Sequence, residues 1–132
     1  MAAENVATVK RAIAAVNARD VDSYLAWCTD DVRLRTPLAP IEGSYEGAAG
    51  IRRFFSDVAA TGPDFRLEIE RIEAVGPNRV LAFMRVVASG RESGVDMGTE
   101  TTNVYDLVDG KIRRIEIFTD RQEALRTARS RA

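Results

Sequence analysis

The sequence predicts one segregated α+β domain, in which helices cover one face of a curved antiparallel β-sheet. Three observations support this fold class. Apolar residues recur at helical spacing before Pro63, alternation with a period of two dominates after it, and turn signals divide the second half into long strands. The chain has 132 residues and 45% hydrophobic content, which is enough apolar surface for one core. We therefore expect residues 1–132 to form a single domain.

The first predicted element is an amphipathic helix from Glu4 to Arg19, with Val9 and Ile13 on its apolar face. Asp20 ends this helix and is placed to cap a short second helix, Val21–Cys28. An acidic turn follows, and then the first strand.

That strand alternates apolar and polar residues over Val32–Thr36, and Pro37 ends it. A third helix comes after a loop rich in proline and glycine. Its apolar residues lie at positions i, i+3, i+4 and i+7, namely Ile51, Phe54, Phe55 and Val58. Gly62-Pro63 ends it.

Strands dominate the rest of the chain. The first alternates from Phe65 until Ile72 breaks the phase, as a β-bulge would. Turn signals delimit three more strands, Arg79–Ala88, Val95–Val108 and Lys111–Thr119, which predict an antiparallel meander. Asp120 and Glu123 have the spacing of a capping box, which predicts a helix at the end of the chain.

Composition excludes several chemistries. The chain has no histidine and a single cysteine, Cys28, so histidine-dependent triads and the common zinc sites are excluded. Asp30-Asp31 is better explained as a solvated turn than as a cation site. No phosphate-binding glycine motif occurs. We expect no cofactor and no metal ligand.

The charge pattern and the amino-terminal sequence bear on partners and location. Basic residues are scattered among acids at a net charge of −1, which predicts no nucleic-acid surface. No signal peptide or membrane-spanning run is present, and a lone cysteine suits a reducing compartment. We expect a cytoplasmic protein that does not bind membranes.

The third strand of the meander places neutral polar groups on an otherwise apolar face. The residues that share this face are Met97, Thr99, Thr101, Asn103, Tyr105 and Leu107. This face should point inward. Buried hydroxyl and amide groups cost free energy when unpaired, so they pair with each other, with water, or with a ligand. The sequence leaves these alternatives open.

Three stretches of the chain resemble the nuclear transport factor 2-like superfamily, in its SnoaL-like and ketosteroid isomerase-like branch. They read VKRAIAAVNARDVDSYLAWCTDDV, SYEGAAGIRRFF and NVYDLVDGKIRRIEIF. The resemblance implies a cystatin-like α+β barrel, a cone of curved sheet with helices over its mouth. It also implies a dimer formed through the outer sheet face.

The functional residues of those relatives are largely replaced here. The isomerase base, an aspartate before the proline that ends the first strand, falls at Thr36, and its first-helix tyrosine falls at Ala12. Its protonated aspartic acid falls at Asn103, whose amide still donates a hydrogen bond. The cyclase histidine also falls at Asn103, and the cyclase aspartate at Ile117. A limonene-type epoxide hydrolase relay is likewise inconsistent with Ile117. We assign no catalytic residue.

These observations predict a cone that binds a small, mostly apolar, neutral molecule. If the protein is an enzyme of the isomerase, cyclase or hydrolase type, its catalytic residues differ from the usual acid/base residues of those enzymes. The expected ligand-binding residues are Tyr24, Trp27, Thr36, Phe54, Phe55, Met84, Thr101, Asn103, Tyr105 and Ile117. The alternative is a noncatalytic dimerisation or accessory module whose cone is filled by Trp27, Phe54 and Met84.

A homodimer is also predicted, because alternation leaves Val104, Val108 and Phe118 on the outer face of the sheet.

Overall fold

A computed structural model describes residues 2–37, 43–89 and 96–130, without the side chains of residues 88, 89, 96–98 and 130. It contains four helices: α1 Ala2–Ala18, α2 Val21–Ala26, α3 Gly47–Ala60 and α4 Arg121–Ser130. It contains six strands: β1 Cys28–Arg35, β2 Tyr45–Glu46, β3 Arg66–Ala74, β4 Arg79–Ser89, β5 Asp96–Val108 and β6 Lys111–Phe118. The predicted α+β class is confirmed.

The six strands form one curved sheet in the linear order β2-β1-β6-β5-β4-β3, so the sheet is not closed. The meander β3-β4-β5-β6 is antiparallel, as predicted. The register of β3 shifts between Ile69 and Arg71, which accounts for the break in alternation that the sequence shows at Ile72.

Two predictions about β1 are wrong. The strand begins at Cys28 rather than Val32, so Asp30 and Asp31 lie within it and not in a turn. It pairs with β6 in parallel, so the sheet is mixed rather than antiparallel. The pairing of β1 depends on a strand more than 75 residues away, and local alternation carries no information about that direction.

The helix ends follow local side-chain chemistry. Asp20 caps α2, because its carboxylate accepts hydrogen bonds from the backbone nitrogen of Ser23 at 3.1 Å and from its hydroxyl at 2.6 Å. Asp120 caps α4 in the same way, accepting from the backbone nitrogen of Gln122 at 2.9 Å. Both caps agree with the sequence.

Gly50 fixes the position of α3 against the sheet. A Cβ atom on Gly50 would lie 2.7 Å from the carbonyl carbon of Tyr45, so any other residue would push the helix away from β2. This contact holds Phe54 and Phe55 over the concave face.

The main core lies between α1, α2, α3 and the concave face of the sheet. Ile51, Leu34, Met84 and Ile115 are almost fully buried there. Burial of such side chains contributes about 1.5–3 kcal/mol each.

One helix, α4, also covers part of the convex face, although helices were predicted on one face of the sheet only. Ala124 and Ala128 of α4 are buried against Leu81, Phe83 and Val104. Phe118 packs against the same cluster. The small alanines allow α4 to lie close to the strands.

Because α4 covers these side chains, the convex face exposes less apolar surface than the dimer prediction assumed. Of the three residues on which that prediction rested, Val104 is buried and Phe118 is partly buried, while Val108 is 41% exposed. The homodimer stays a prediction, and of these three residues only Val108 still exposes a large apolar side chain that a partner would cover.

Among the described residues, no helix is long and apolar enough to cross a membrane.

Candidate functional site

The concave face of β5 becomes more exposed from one end to the other. Leu107 and Tyr105 are 3% and 4% exposed, Asn103 is 4%, and Thr101 is 9%. Thr99, on the same face, is exposed, and the side chain of Met97 lies outside the described residues. The face thus runs from a closed end at Leu107 to an open end near Thr99.

Neighbouring strands surround Asn103 with apolar side chains. Its register partners are Ala82 on β4 and Ile117 on β6, and Thr101 is paired with Met84. Ala82 and Met84 are fully buried. A single carboxamide therefore lies in a neutral, apolar environment.

Asn103 makes only weak contacts within the protein. Its side-chain nitrogen lies 3.8 Å from the sulfur of Met84 and 3.4 Å from the hydroxyl oxygen of Tyr105. Its side-chain oxygen is buried and has no hydrogen-bond partner among the described residues. Such a group costs roughly 1–3 kcal/mol when it stays unsatisfied.

Tyr105 and Tyr24 bring two more polar groups into the core. Burial raises the pKa of Tyr105 to about 12, partly offset by the hydrogen bond from Asn103. Burial also raises the pKa of Tyr24 well above its usual value, and the nearby Tyr105 and Cys28 add to this. Both hydroxyls are therefore neutral near physiological pH.

Cys28 is a buried thiol at the closed end of the face. It donates to the backbone oxygen of Tyr24 at 3.3 Å, and burial raises its pKa to about 12. Sequence reasoning did not place this residue near the candidate site. No sequence signal singled it out, because Cys28 was predicted to end the helix Val21–Cys28, whereas the helix ends at Ala26 and Cys28 begins β1.

An aromatic cluster covers part of the core from α2 and α3. Tyr24 and Phe55 meet edge to face with ring centroids 5.3 Å apart, and Phe54 lies 6.1 Å from Phe55. Phe54 also contacts Tyr45 at 5.5 Å. Tyr45 belongs to this cluster, although it is absent from the predicted set. Its position in the segment SYEG, directly ahead of the helix that carries Phe54, was the available signal.

The structure brings most of the predicted residues together. Residues that belong to the main core or pack against it are Tyr24, Phe54, Phe55, Met84, Tyr105 and Ile117. Asn103 and Thr101 lie on the same face of β5 as Tyr105.

Trp27 does not lie with this set. It is the residue that follows α2, and the Arg11 guanidinium stacks on its ring at 5.0 Å. Its backbone oxygen accepts from Ile112, which is five residues before Ile117 on β6, or about 17 Å along the strand. Trp27 therefore lies well away from Ile117 and from Asn103, which is paired with Ile117.

Thr36 lies at the end of β1 and is half-buried. It lines a cleft of about 480 Å³ between the ends of β1 and β6 and helix α4, together with Glu116 and Ile117. Because α4 lies on the convex side, Thr36 is at the rim of the sheet, next to Ile117 and between the two faces.

The buried part of the concave face contains no charged side chain among the described residues. Among the described side chains, no aspartate or glutamate is buried, and Arg79 is the one buried charged residue. Arg79 lies on the convex side, where it pairs with Asp106 at 2.6 Å. Arg35 and Arg85 are exposed, each next to a buried residue of the opposite face. The described residues also contain no group of three or more side chains that could hold a metal ion.

Comparisons with known proteins agree with this geometry. The chain is similar to solved structures across nearly its whole length. One is an uncharacterised cystatin-fold protein from Novosphingobium aromaticivorans, 30% identical, with a TM-score of 0.70, covering 86% of this chain and 97% of the other. A search of curated proteins gives no match.

Two further structures have named activities or ligands. TerC, co-crystallised with polyporic acid, is 22% identical with a TM-score of 0.77 and covers 95% of this chain and 97% of its own. SalBIII, an epoxide hydrolase/cyclase-like enzyme of pyran ring formation, is 19% identical with a TM-score of 0.71 and covers 86% and 88%. At these identities the likeness shows the fold.

The sequence model of the SnoaL-like domain matches residues 9–115, which include α2, α3 and the three residues Asn103, Thr101 and Tyr105. The resemblance to the nuclear transport factor 2-like superfamily is thereby confirmed. The chain belongs to the SnoaL-like domain family.

Proposed function

We propose that this protein binds a small, neutral, mostly apolar molecule on the concave face of its sheet, at the open end near Thr101. The observation that carries the proposal is the buried side-chain oxygen of Asn103, which has no partner among the described residues. A ligand group that pairs with it would remove a cost of about 1–3 kcal/mol.

The surroundings favour a neutral ligand over a charged one. Met84, Ala82 and Ile117 provide apolar contact, and Thr101, Asn103 and Tyr105 provide neutral polar groups. A buried ion would lose hydration worth several kcal/mol without gaining a counter-charge from these side chains. A hydroxyl or carbonyl needs only one hydrogen bond.

The similar structures support a small organic ligand. TerC was crystallised with polyporic acid, and SalBIII acts in pyran ring formation. We infer a small ring compound for this chain, and its neutral charge is argued from the side chains around Asn103 and not from these structures. We assign no catalytic residue, because no described carboxylate is buried near Asn103.

Calorimetric titration with 2-naphthol and with 2-naphthoate tests the proposal, since the two share a ring system and differ in charge. We expect 2-naphthol to bind and 2-naphthoate not to bind. Thr101→Val should weaken 2-naphthol binding several-fold. Thr102→Val is the matched control, because Thr102 is also buried but faces the opposite side of β5. Binding of 2-naphthoate alone would contradict the proposal.

One observation favours a second function, that of a noncatalytic accessory module. Met84 is fully buried and Phe54 packs against the core, so two of the three residues expected to fill the cone contribute to its packing. The third, Trp27, lies elsewhere. This alternative predicts that neither naphthalene compound binds.

A further inference from the structure

The contacts of Asn103, weak as they are, favour one direction for its side-chain amide. Its side-chain nitrogen faces the Met84 sulfur at 3.8 Å and the Tyr105 hydroxyl oxygen at 3.4 Å. A thioether sulfur can only accept, and an amide oxygen can only accept. Placing the amide oxygen against the sulfur would set two acceptors together, so the nitrogen belongs on this side.

The oxygen of the same amide is consequently the atom without a hydrogen-bond partner among the described residues. This oxygen is buried. An acceptor in this state needs a donor from outside the protein chain, and a hydroxyl of a bound ligand supplies one.

The hydroxyl of Tyr105 can still donate a hydrogen bond. In its contact with Asn103 the hydroxyl oxygen accepts, which leaves its own proton to donate. Burial raises the pKa of this hydroxyl to about 12, so the proton is retained at neutral pH. The two side chains together present one acceptor and one donor on one face.

We propose that the ligand of this site is a hydroxylated ring compound, whose neutral phenol or enol hydroxyl donates to the Asn103 oxygen. This inference rests on the proposed function and names its ligand class. A second oxygen on the ligand, such as a ring carbonyl, would accept from Tyr105. The direction is opposite to the role expected for Asn103 from the isomerase resemblance, in which this position donates to a ligand carbonyl.

The test compares 2-naphthol with 2-methoxynaphthalene by calorimetry at neutral pH, where a phenol keeps its proton. The ether keeps the ring and the oxygen but has no proton to donate. We expect the wild-type protein to bind 2-naphthol at least fivefold more tightly, which corresponds to about 1 kcal/mol for one neutral hydrogen bond. In Asn103→Leu the two affinities should become equal.

A Thr102→Val variant serves as the control and should keep the fivefold preference, because Thr102 faces the opposite side of β5. Circular dichroism of each variant establishes that it is folded, and Asn103→Ala replaces Asn103→Leu if the latter is not. Equal affinities in the wild type, or a preference that survives in the Asn103 variant, would overturn this inference and leave the proposed function intact. Failure of both compounds to bind the wild type would overturn both.

Discussion

The side-chain nitrogen of Asn103 lies 3.4 Å from the hydroxyl oxygen of Tyr105, two positions along the same face of β5. In this contact the nitrogen is the donor, and the amide oxygen is left buried without a partner among the described residues. A buried polar atom in this state lowers stability. Its presence is therefore better explained by ligand binding than by folding.

Replacing Asn103 should increase the stability of the unliganded protein. Asn103→Leu removes the unsatisfied oxygen, and we expect the free energy of unfolding to rise by about 1 kcal/mol. Asn5→Leu is the matched control, because Asn5 is equally buried but donates to the Pro77 oxygen at 2.8 Å. That change should lower stability by about 1–3 kcal/mol. Urea unfolding measures both, and equal losses in the two variants would contradict the assignment.

Tyr105 should make stability depend on alkaline pH. Its pKa is about 12 in the folded protein, above the ordinary value of 10.0, so the folded state holds a proton that the unfolded chain releases. Stability is then fully present below pH 10 and falls as the pH rises towards 12. Tyr105→Phe should lose less stability over this range. Urea unfolding at several pH values gives the two slopes, and identical slopes would be inconsistent with a buried neutral Tyr105.

Arg79 should anchor α4 to the convex face. Its guanidinium contacts the Asp106 carboxylate at 2.6 Å and the backbone oxygen of Ala128 at 2.7 Å, and its side chain is only 10% exposed. Arg79→Met leaves Asp106 without this cation, and we expect a loss of about 2 kcal/mol or more. Thermal unfolding measures this loss.

Arg33→Met is the control for that experiment. Arg33 pairs with Glu46 at 3.0 Å, but the side chains are 55% and 63% exposed. Pairs of this kind contribute about 0–1 kcal/mol. If Arg79→Met costs no more than Arg33→Met, Arg79 does not anchor the helix.

The homodimer prediction now depends on Val108, which is 41% exposed on β5. Sedimentation of the wild type at micromolar concentration should give the mass of two chains, and Val108→Lys should shift it towards one. A monomeric wild type would contradict the prediction.

The parts of the fold that the sequence predicted are those with local causes. Helix α3 follows from the spacing of Ile51, Phe55 and Val58, all of which are buried. The inward face of β5 follows from alternation, and Tyr105, Asn103 and Thr101 share it as predicted.

The parts that were missed depend on contacts distant in sequence. The parallel pairing of β1 with β6 and the seating of α4 over Val104 bring together segments that no local pattern relates. Trp27 was misplaced because a short amphipathic stretch does not show which end of the sheet it covers. The direction of the Asn103 amide depends on Met84, nineteen residues earlier on the neighbouring strand.

The central claim is that Asn103 meets a neutral ligand on the concave face. The chain has only four asparagines and one glutamine, so its spectrum contains few side-chain amide signals. The signals that disappear in Asn103→Leu are those of Asn103. Two-dimensional NMR of ¹⁵N-labelled protein during titration with 2-naphthol should shift the Asn103 amide signals progressively while those of the exposed Asn17 and Asn78 stay in place. An Asn103 signal that does not move at saturating ligand, or that moves no more than those of Asn17 and Asn78, would contradict the account.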